Sequence, residues 1–258
     1  MAWVLFDLDD TLLHTSPIYE RVRQDFGQAM EARGLGPAAE AVSLLWRVDS
    51  RNRTTLGVAK ERLAISMYDT YRALVEKAGA APDPVVRDEC FARLGTIVNH
   101  RYRLVWGARK VLSACVAYGH HLVLYTRGDR ELQQRKIRQA GIIHHFCHAE
   151  ILDRKGLEQL QDLLSRLGIS ASDAWMVGDE IRADIEPALA LGMRAIRVWG
   201  YHEAEPAPLP VSDLLYNVRI ITHVLPILCP RFVSVRERNG ASTCLSKPIR
   251  SIRSNVVS

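Results

Sequence analysis

Four aspartates and one threonine stand where short apolar runs break off into polar residues. Asp7 and Asp9 follow the run at 2–6, Thr126 follows 121–125, and Asp179 and Asp184 follow 174–177. Continuous apolar stretches of this length suit strands buried on both faces of a parallel sheet. The carboxyl ends of such strands share one edge, where ligands bind, so these side chains converge although they are far apart in sequence. Carboxylates crowded into one pocket repel each other and call for a cation, and an oxygen-only donor set favours magnesium. A carboxylate beside such an ion can attack phosphorus to give an aspartyl phosphate. A second carboxylate two residues on can protonate the leaving oxygen and later deprotonate water.

The elements that must position these groups are legible in outline. Helical patterns at 108–118, 129–140, 157–167 and 182–191 each end just before a glycine, at Gly119, Gly141, Gly168 and Gly192, the usual carboxyl-terminal stop. A fourth strand is expected at 194–199. Strands alternating with helices predict an α/β, Rossmann-like three-layer fold, with helices on both faces of a parallel sheet. The stretch between the first and second apolar runs is far longer than a crossover requires. Ile18, Val22, Phe26 and Met30 form one helical stripe in it. Leu56, Leu63, Met67, Tyr71 and Leu74 form a second, and Val86, Cys90, Leu94 and Val98 a third. An inserted all-helical domain of about four helices with a small core of its own is therefore expected. The predicted division is a catalytic core at 1–14 and 105–204, a helical insertion at 15–104, a carboxyl-terminal helix within 205–230 (214–228) packed on the core, and a basic, disordered tail at 231–258. The hinge candidates are His14-Thr15 and 102–107.

At these residues the sequence resembles the haloacid dehalogenase-like (HAD) hydrolase superfamily, in its phosphatase form with a helical cap inserted between the first and second motifs. Asp7-Leu8-Asp9-Asp10-Thr11 looks like the DxDxT motif, and Leu124-Tyr125-Thr126 like the strand ending in Thr or Ser. Lys155 stands where the third-motif lysine is expected, and Gly178-Asp179 through Asp184 looks like GDxxxxD. The resemblance implies that Asp7 is nucleophile and metal ligand. It implies that Asp9 is the general acid/base, with its backbone carbonyl also on the metal. Thr126 and Lys155 would hold the phosphoryl group, with Arg127 as a further phosphate-binding residue. Asp179 would bind magnesium directly, and Asp184 would hold a metal-bound water or Lys155. The match departs from the family pattern in two places. Asp10 replaces the common glycine and receives no role, and Gly156 rather than proline follows Lys155, with Arg154 as a neighbouring base.

Composition sets further bounds. The 258 residues carry 34 Lys and Arg against 29 Asp and Glu, a net charge of +5. Residues 231–258 hold six bases and one acid, leaving 28 of each in residues 1–230. The body is neutral, which argues against a dedicated nucleic-acid binder. No apolar run approaches the length of a membrane helix, and five widely spaced cysteines suggest a reduced, cytoplasmic protein without a disulfide frame. His144, His145, Cys147 and His148 match no closed zinc site. The basic run Trp46, Arg47, Arg51, Asn52, Arg53 and Lys60 reads as a solvated helix face and loop, the alternative being a patch that reaches an anionic substrate.

The expected partner is a small phosphorylated metabolite, of undetermined identity, hydrolysed with magnesium through phospho-Asp7. Whether the chain is a monomer or homodimer stays open. The rival readings are a non-catalytic phosphoester-binding or regulatory protein on this scaffold, an interaction module acting through the tail, and a hydrolytic dehalogenase. The last has no need of Asp9, because halide leaves without a proton.

Overall fold

A computed structural model of the chain describes residues 1–199 and 210–230. The amino-terminal apolar run forms β1 (Trp3–Phe6), followed by a two-residue strand β2 (Leu13–His14). Four helices come next: α1 (Ser16–Ala32), α2 (Ala38–Leu56), α3 (Arg62–Ala78) and α4 (Val85–Val98). β3 (Arg103–Leu104) then returns to pair antiparallel with β2. From there strands and helices alternate through α5 (Ala108–Ala117), β4 (His121–Arg127), α6 (Arg130–Ala140), β5 (His148–Leu152), α7 (Leu157–Leu167), β6 (Ala174–Gly178), α8 (Glu186–Ala190) and β7 (Arg194–Val198). β8 (Leu215–Val218) and α9 (Leu225–Leu228) complete the described chain.

Among the described residues the main sheet has six strands in the order β5-β4-β1-β6-β7-β8, each pair parallel. The period of two along each strand divides its apolar residues between two clusters. Val4, Phe6, Leu124, Val177 and Ile196 pack with α5 and α6 residues such as Leu112 and Ile137. Leu5, Val123, Met176 and Ala195 pack with Leu160 and Leu163 of α7 and Ala188 of α8. The sheet is thus covered on both faces, as its unbroken apolar strands require.

The chain order reverses at β1, which has β4 on one side and β6 on the other. Phe6 lies level with Leu124 and with Val177. Asp7, Thr126 and Asp179 therefore lie just past a common line at the carboxyl edge, the switch-point position where such sheets bind ligands.

The inserted helices pack in sequence, α1 on α2, α2 on α3 and α3 on α4, with α4 closing back on α1. Ile18, Val22, Phe26 and Met30 are all buried, as the stripe predicted. Leu56, expected in the second stripe, is instead an exposed residue closing α2, and in α4 Ile97 rather than Val98 is buried. The bundle does not keep a separate core. Leu8, Leu12 and Leu13 join Phe26, Met67 and Cys90 to the cluster on one face of the sheet. The β2–β3 ribbon spans both connections to the bundle, at the segments expected to act as hinges.

The carboxyl-terminal expectation needs correction. Instead of one helix over 214–228, the chain forms β8 beside β7, a 3-10 turn at Ile221–Val224 and the short α9. Pro226 is the physical reason: a proline tolerated in the first turn of α9 would break a helix reaching it from residue 214. The predicted tail at 231–258 lies outside the described residues. No helix among the described residues is long and apolar enough to cross a membrane.

Candidate active site

Asp7 leaves the end of β1 with its backbone N–H donating to the Val177 carbonyl at 2.9 Å, so the ladder with β6 runs one residue past the strand. Asp179 follows β6 directly. Asp184 stands on a π-helical turn, Ile181–Ile185, a form often found at functional sites. One carboxylate oxygen from each of Asp7, Asp179 and Asp184 lies within 4.8 Å of the others. The Lys155 Nζ, from the turn after β5, donates to Asp7 Oδ1 and to Asp184 Oδ1, the latter at 2.7 Å. Lys155, not Arg154, makes these contacts. A Cβ on Gly178 would collide with the Asp184 carboxylate, so glycine is what lets Asp184 lie against the end of β6.

The electrostatics follow from crowding without water. Burial pushes the Asp7 carboxyl up to about 7; Lys155 opposes the rise, while Asp184 and Asp9 add to it. Burial also raises Asp179, with Asp7 and Asp184 contributing, and raises Asp184 against the pull of Lys155. For Lys155, burial alone would lower the ammonium, but Asp184 and Asp7 more than offset it and hold it above its ordinary value. Three carboxylates face one ammonium. A divalent cation coordinated by oxygen would balance that excess, so the residues present fit magnesium.

The Asp9 carboxylate stands apart from this trio. Its Oδ1 accepts from Lys136 Nζ at 2.8 Å and Thr15 Oγ1 at 2.6 Å, and its Oδ2 from Gln133 Nε2 at 2.8 Å. The side chain is therefore not grouped with the metal-binding carboxylates, and only its backbone carbonyl is left for the metal contact that the resemblance implies. Gln133 Nε2 also donates to Thr126 Oγ1 at 2.8 Å, tying the end of β4 to Asp9. Arg127 turns to Glu180, at 2.8 Å, across the mouth of the site. Asp129 caps α6 by accepting from Leu132 N, which leaves Thr126 out of that role.

Four residues were missed by the sequence reading or given no role in it. Gln133 and Lys136 occupy the core-facing stripe of α6 with Leu132, Ile137 and Ala140; two polar residues in an otherwise apolar stripe were the available signal. Arg197 is fully buried on β7 and donates to the Asp179 carbonyl at 3.2 Å. Asp10, given no role, has φ 60°, the left-handed region that suits Gly or Asp. Its carboxylate accepts from the backbone N–H groups of Thr15 and Ser16, both at 2.8 Å, and so caps α1. The histidine-rich segment forms a short 3-10 turn and contributes to no metal-binding group among the described residues.

Above these residues lies a cavity of about 710 Å³ between the helical insertion and the sheet edge. Asp9, Gln133, Lys136 and Lys155 form its floor, and Tyr19, Arg23, Trp46, Arg53 and Arg62 its helical wall. Of the basic run, Trp46, Arg53 and Lys60 reach this cavity. Asn52 is instead bound to Ser66 and Asp69, and exposed Arg47 to Ser43.

Known proteins are similar to this chain in sequence and in fold. A phosphoserine phosphatase of Thermus thermophilus is 30% identical over 251 residues, covering 83% of this chain and 96% of that protein. A glyceraldehyde 3-phosphate phosphatase of Methanocaldococcus jannaschii is 28% identical over 207 residues, covering 76% and 83%. In fold, a haloacid dehalogenase-like family hydrolase from Xanthomonas campestris superposes with a TM-score of 0.75 at 24% identity, over 93% of this chain and 95% of that one. A Bacillus subtilis HAD-hydrolase solved with magnesium superposes at 0.62 and 17% identity, over 88% and 98%. The sequence profile of the haloacid dehalogenase-like hydrolases matches residues 1–192. With that match laid over β1, β4, β6 and the carboxylates at their ends, this chain belongs to the haloacid dehalogenase-like hydrolases.

Proposed function

We propose that the chain is a magnesium-dependent phosphatase that hydrolyses a small phosphomonoester through a phosphoryl group carried on Asp7. The carrying observation is that Lys155 bridges Asp7 and Asp184 with Asp179 alongside, while Asp9, two residues on, is held separately by α6. The relatives named as phosphatases support the same reaction class.

The chemistry needs two carboxylates in different settings. An Asp7 oxygen forms a bond to phosphorus as the ester P–O bond breaks, and the leaving oxygen takes a proton from Asp9. Water then bonds to phosphorus, giving its proton back to Asp9, and the Asp7–phosphorus bond breaks to release phosphate. Both Asp9 oxygens are held, Oδ1 by Lys136 and Thr15 and Oδ2 by Gln133, which fixes the carboxyl group in place for both steps. Thr126 and Lys155 orient the phosphoryl oxygens. Asp7, Asp179 and the backbone carbonyl of Asp9 would hold magnesium, with Asp184 holding a water of that ion or Lys155, and the ion would neutralise charge on the transferring group, the main requirement of phosphoryl transfer.

The helical insertion acts as a cap that closes over the cavity and excludes water, moving on the β2–β3 ribbon. The related B. subtilis structure, described as revealing interdomain movement, supports this. The protein works as a soluble cytoplasmic enzyme on a phosphorylated metabolite.

Phosphate release across a panel of phosphorylated metabolites tests the reading. Activity should vanish with EDTA, return with magnesium, and be absent in Asp7→Asn. Asp9→Asn should lower kcat by about 10²–10⁴-fold. Full activity in Asp7→Asn, or in the presence of EDTA, would refute it.

A further inference from the structure

The cavity wall contains a guanidinium with no hydrogen bond among the described residues. Arg23, on α1, is 7% exposed, and its Nε is fully buried without a partner. Its Cζ stacks 3.8 Å from the centre of the Trp46 ring. Its Nη2 is 3.7 Å from Asp49 Oδ2, beyond hydrogen-bond reach. Asp49 has other partners, Arg62 Nε and Ser66 Oγ, each at 3.0 Å. Two guanidiniums therefore share one buried carboxylate, and Arg53 adds a further positive charge to the same wall. Buried donors and charges of this kind are unfavourable unless a further group completes them.

We propose that Arg23 reads a carboxylate on the alcohol portion of the substrate, so that the enzyme prefers phosphomonoesters of small hydroxy acids or hydroxy amino acids to uncharged esters. The proposal rests on the phosphatase reading and narrows its substrate class. Stacking on Trp46 fixes the guanidinium plane and leaves its edge for a planar, two-oxygen partner. The position suits the role. Thr15, Tyr19 and Arg23 follow at four-residue steps on the cavity face of α1, with Thr15 bound to Asp9. Arg23 thus stands two turns above the general acid, roughly 12 Å in helix rise, a gap shared by its own long side chain and a short ester.

The test compares kcat/KM for two matched pairs: 3-phosphoglycerate against glyceraldehyde 3-phosphate, and phosphoserine against phosphoethanolamine. Each pair differs in the carboxylate. The wild type should favour the acid of each pair by about tenfold or more, chiefly through KM. Arg23→Ala should erase the preference. Arg23→Lys, which keeps the charge but loses the fork, should restore only part of it. Equal rates within both pairs, or a preference for a bisphosphate, would overturn the carboxylate assignment while the phosphatase reading stood. A preference that survives in folded Arg23→Ala would remove Arg23 from the role. A wild type inert toward all four esters but active on another ester of the metabolite panel would overturn the inference alone, and one inert toward the whole panel would overturn the phosphatase reading with it.

Discussion

Asp7 is most easily buried as a neutral acid and must ionise to bind a cation or attack phosphorus. Burial moves its carboxyl from the ordinary 3.8 to about 7 even with Lys155 against it. A folded-state value above the unfolded one means that its stabilising contribution is complete below about pH 4 and is lost as pH rises through about 7. Asp179 and Asp184 are shifted in the same direction. Magnesium binds the ionised forms, so it should stabilise the fold more as pH rises. Thermal unfolding of EDTA-treated protein, with and without magnesium, should show a larger magnesium-induced rise in Tm near pH 8 than near pH 5.5. A rise that is the same or smaller at the higher pH would contradict these environments. Asp7, Asp9, Thr126, Asp179 and Asp184 were legible because each follows an apolar run or its turn, where backbone geometry dictates the side chain's place, whereas Lys155 was found only through the resemblance to the family. Lys136 and Gln133 were not, because helical periodicity sorts apolar from polar residues and reads a buried polar group as an irregularity.

At the scale of elements, glycine sets how closely neighbours approach. A Cβ on Gly27 of α1 would lie 2.7 Å from the Ala38 carbonyl oxygen and from Val42 Cγ2 of α2. A backbone oxygen cannot turn aside as a flexible side chain can. Gly27→Ala should therefore push α1 from α2 and lower stability by about 1–3 kcal/mol, read as a fall in unfolding temperature or denaturant midpoint. Unchanged stability would show that the two helices separate freely. The strands β1, β4, β6 and β7 were legible from composition, since apolar runs of that length bounded by polar residues have few other uses. β8 was not. Its four residues, Leu215–Val218, are only partly buried apart from Val218, and they pair at the sheet's edge. Such a segment resembles the start of an apolar helix until Pro226 is weighed.

Over the whole molecule, one topological fact brings the chemistry together: β1 lies between β4 and β6, and all three end at one edge. Residues separated by the entire helical insertion become neighbours there, as Lys155 and Asp7 show. The insertion shares its apolar cluster with one face of the sheet. It faces the edge with Arg23 and Trp46, the wall proposed to read the rest of the ester while the sheet edge holds the phosphoryl group. The insertion was visible in the sequence as an overlong gap with helical stripes. Its union with the sheet's core was not, because periodicity shows which face is apolar and not what covers it. The central claim is that Asp7 carries the phosphoryl group, and acid-quenching the enzyme during turnover tests it directly. After borohydride reduction, mass spectrometry of the amino-terminal peptide should find homoserine at position 7, the product of a reduced aspartyl phosphate. Unmodified Asp7 throughout rapid turnover, or a label on any other residue, would contradict the account.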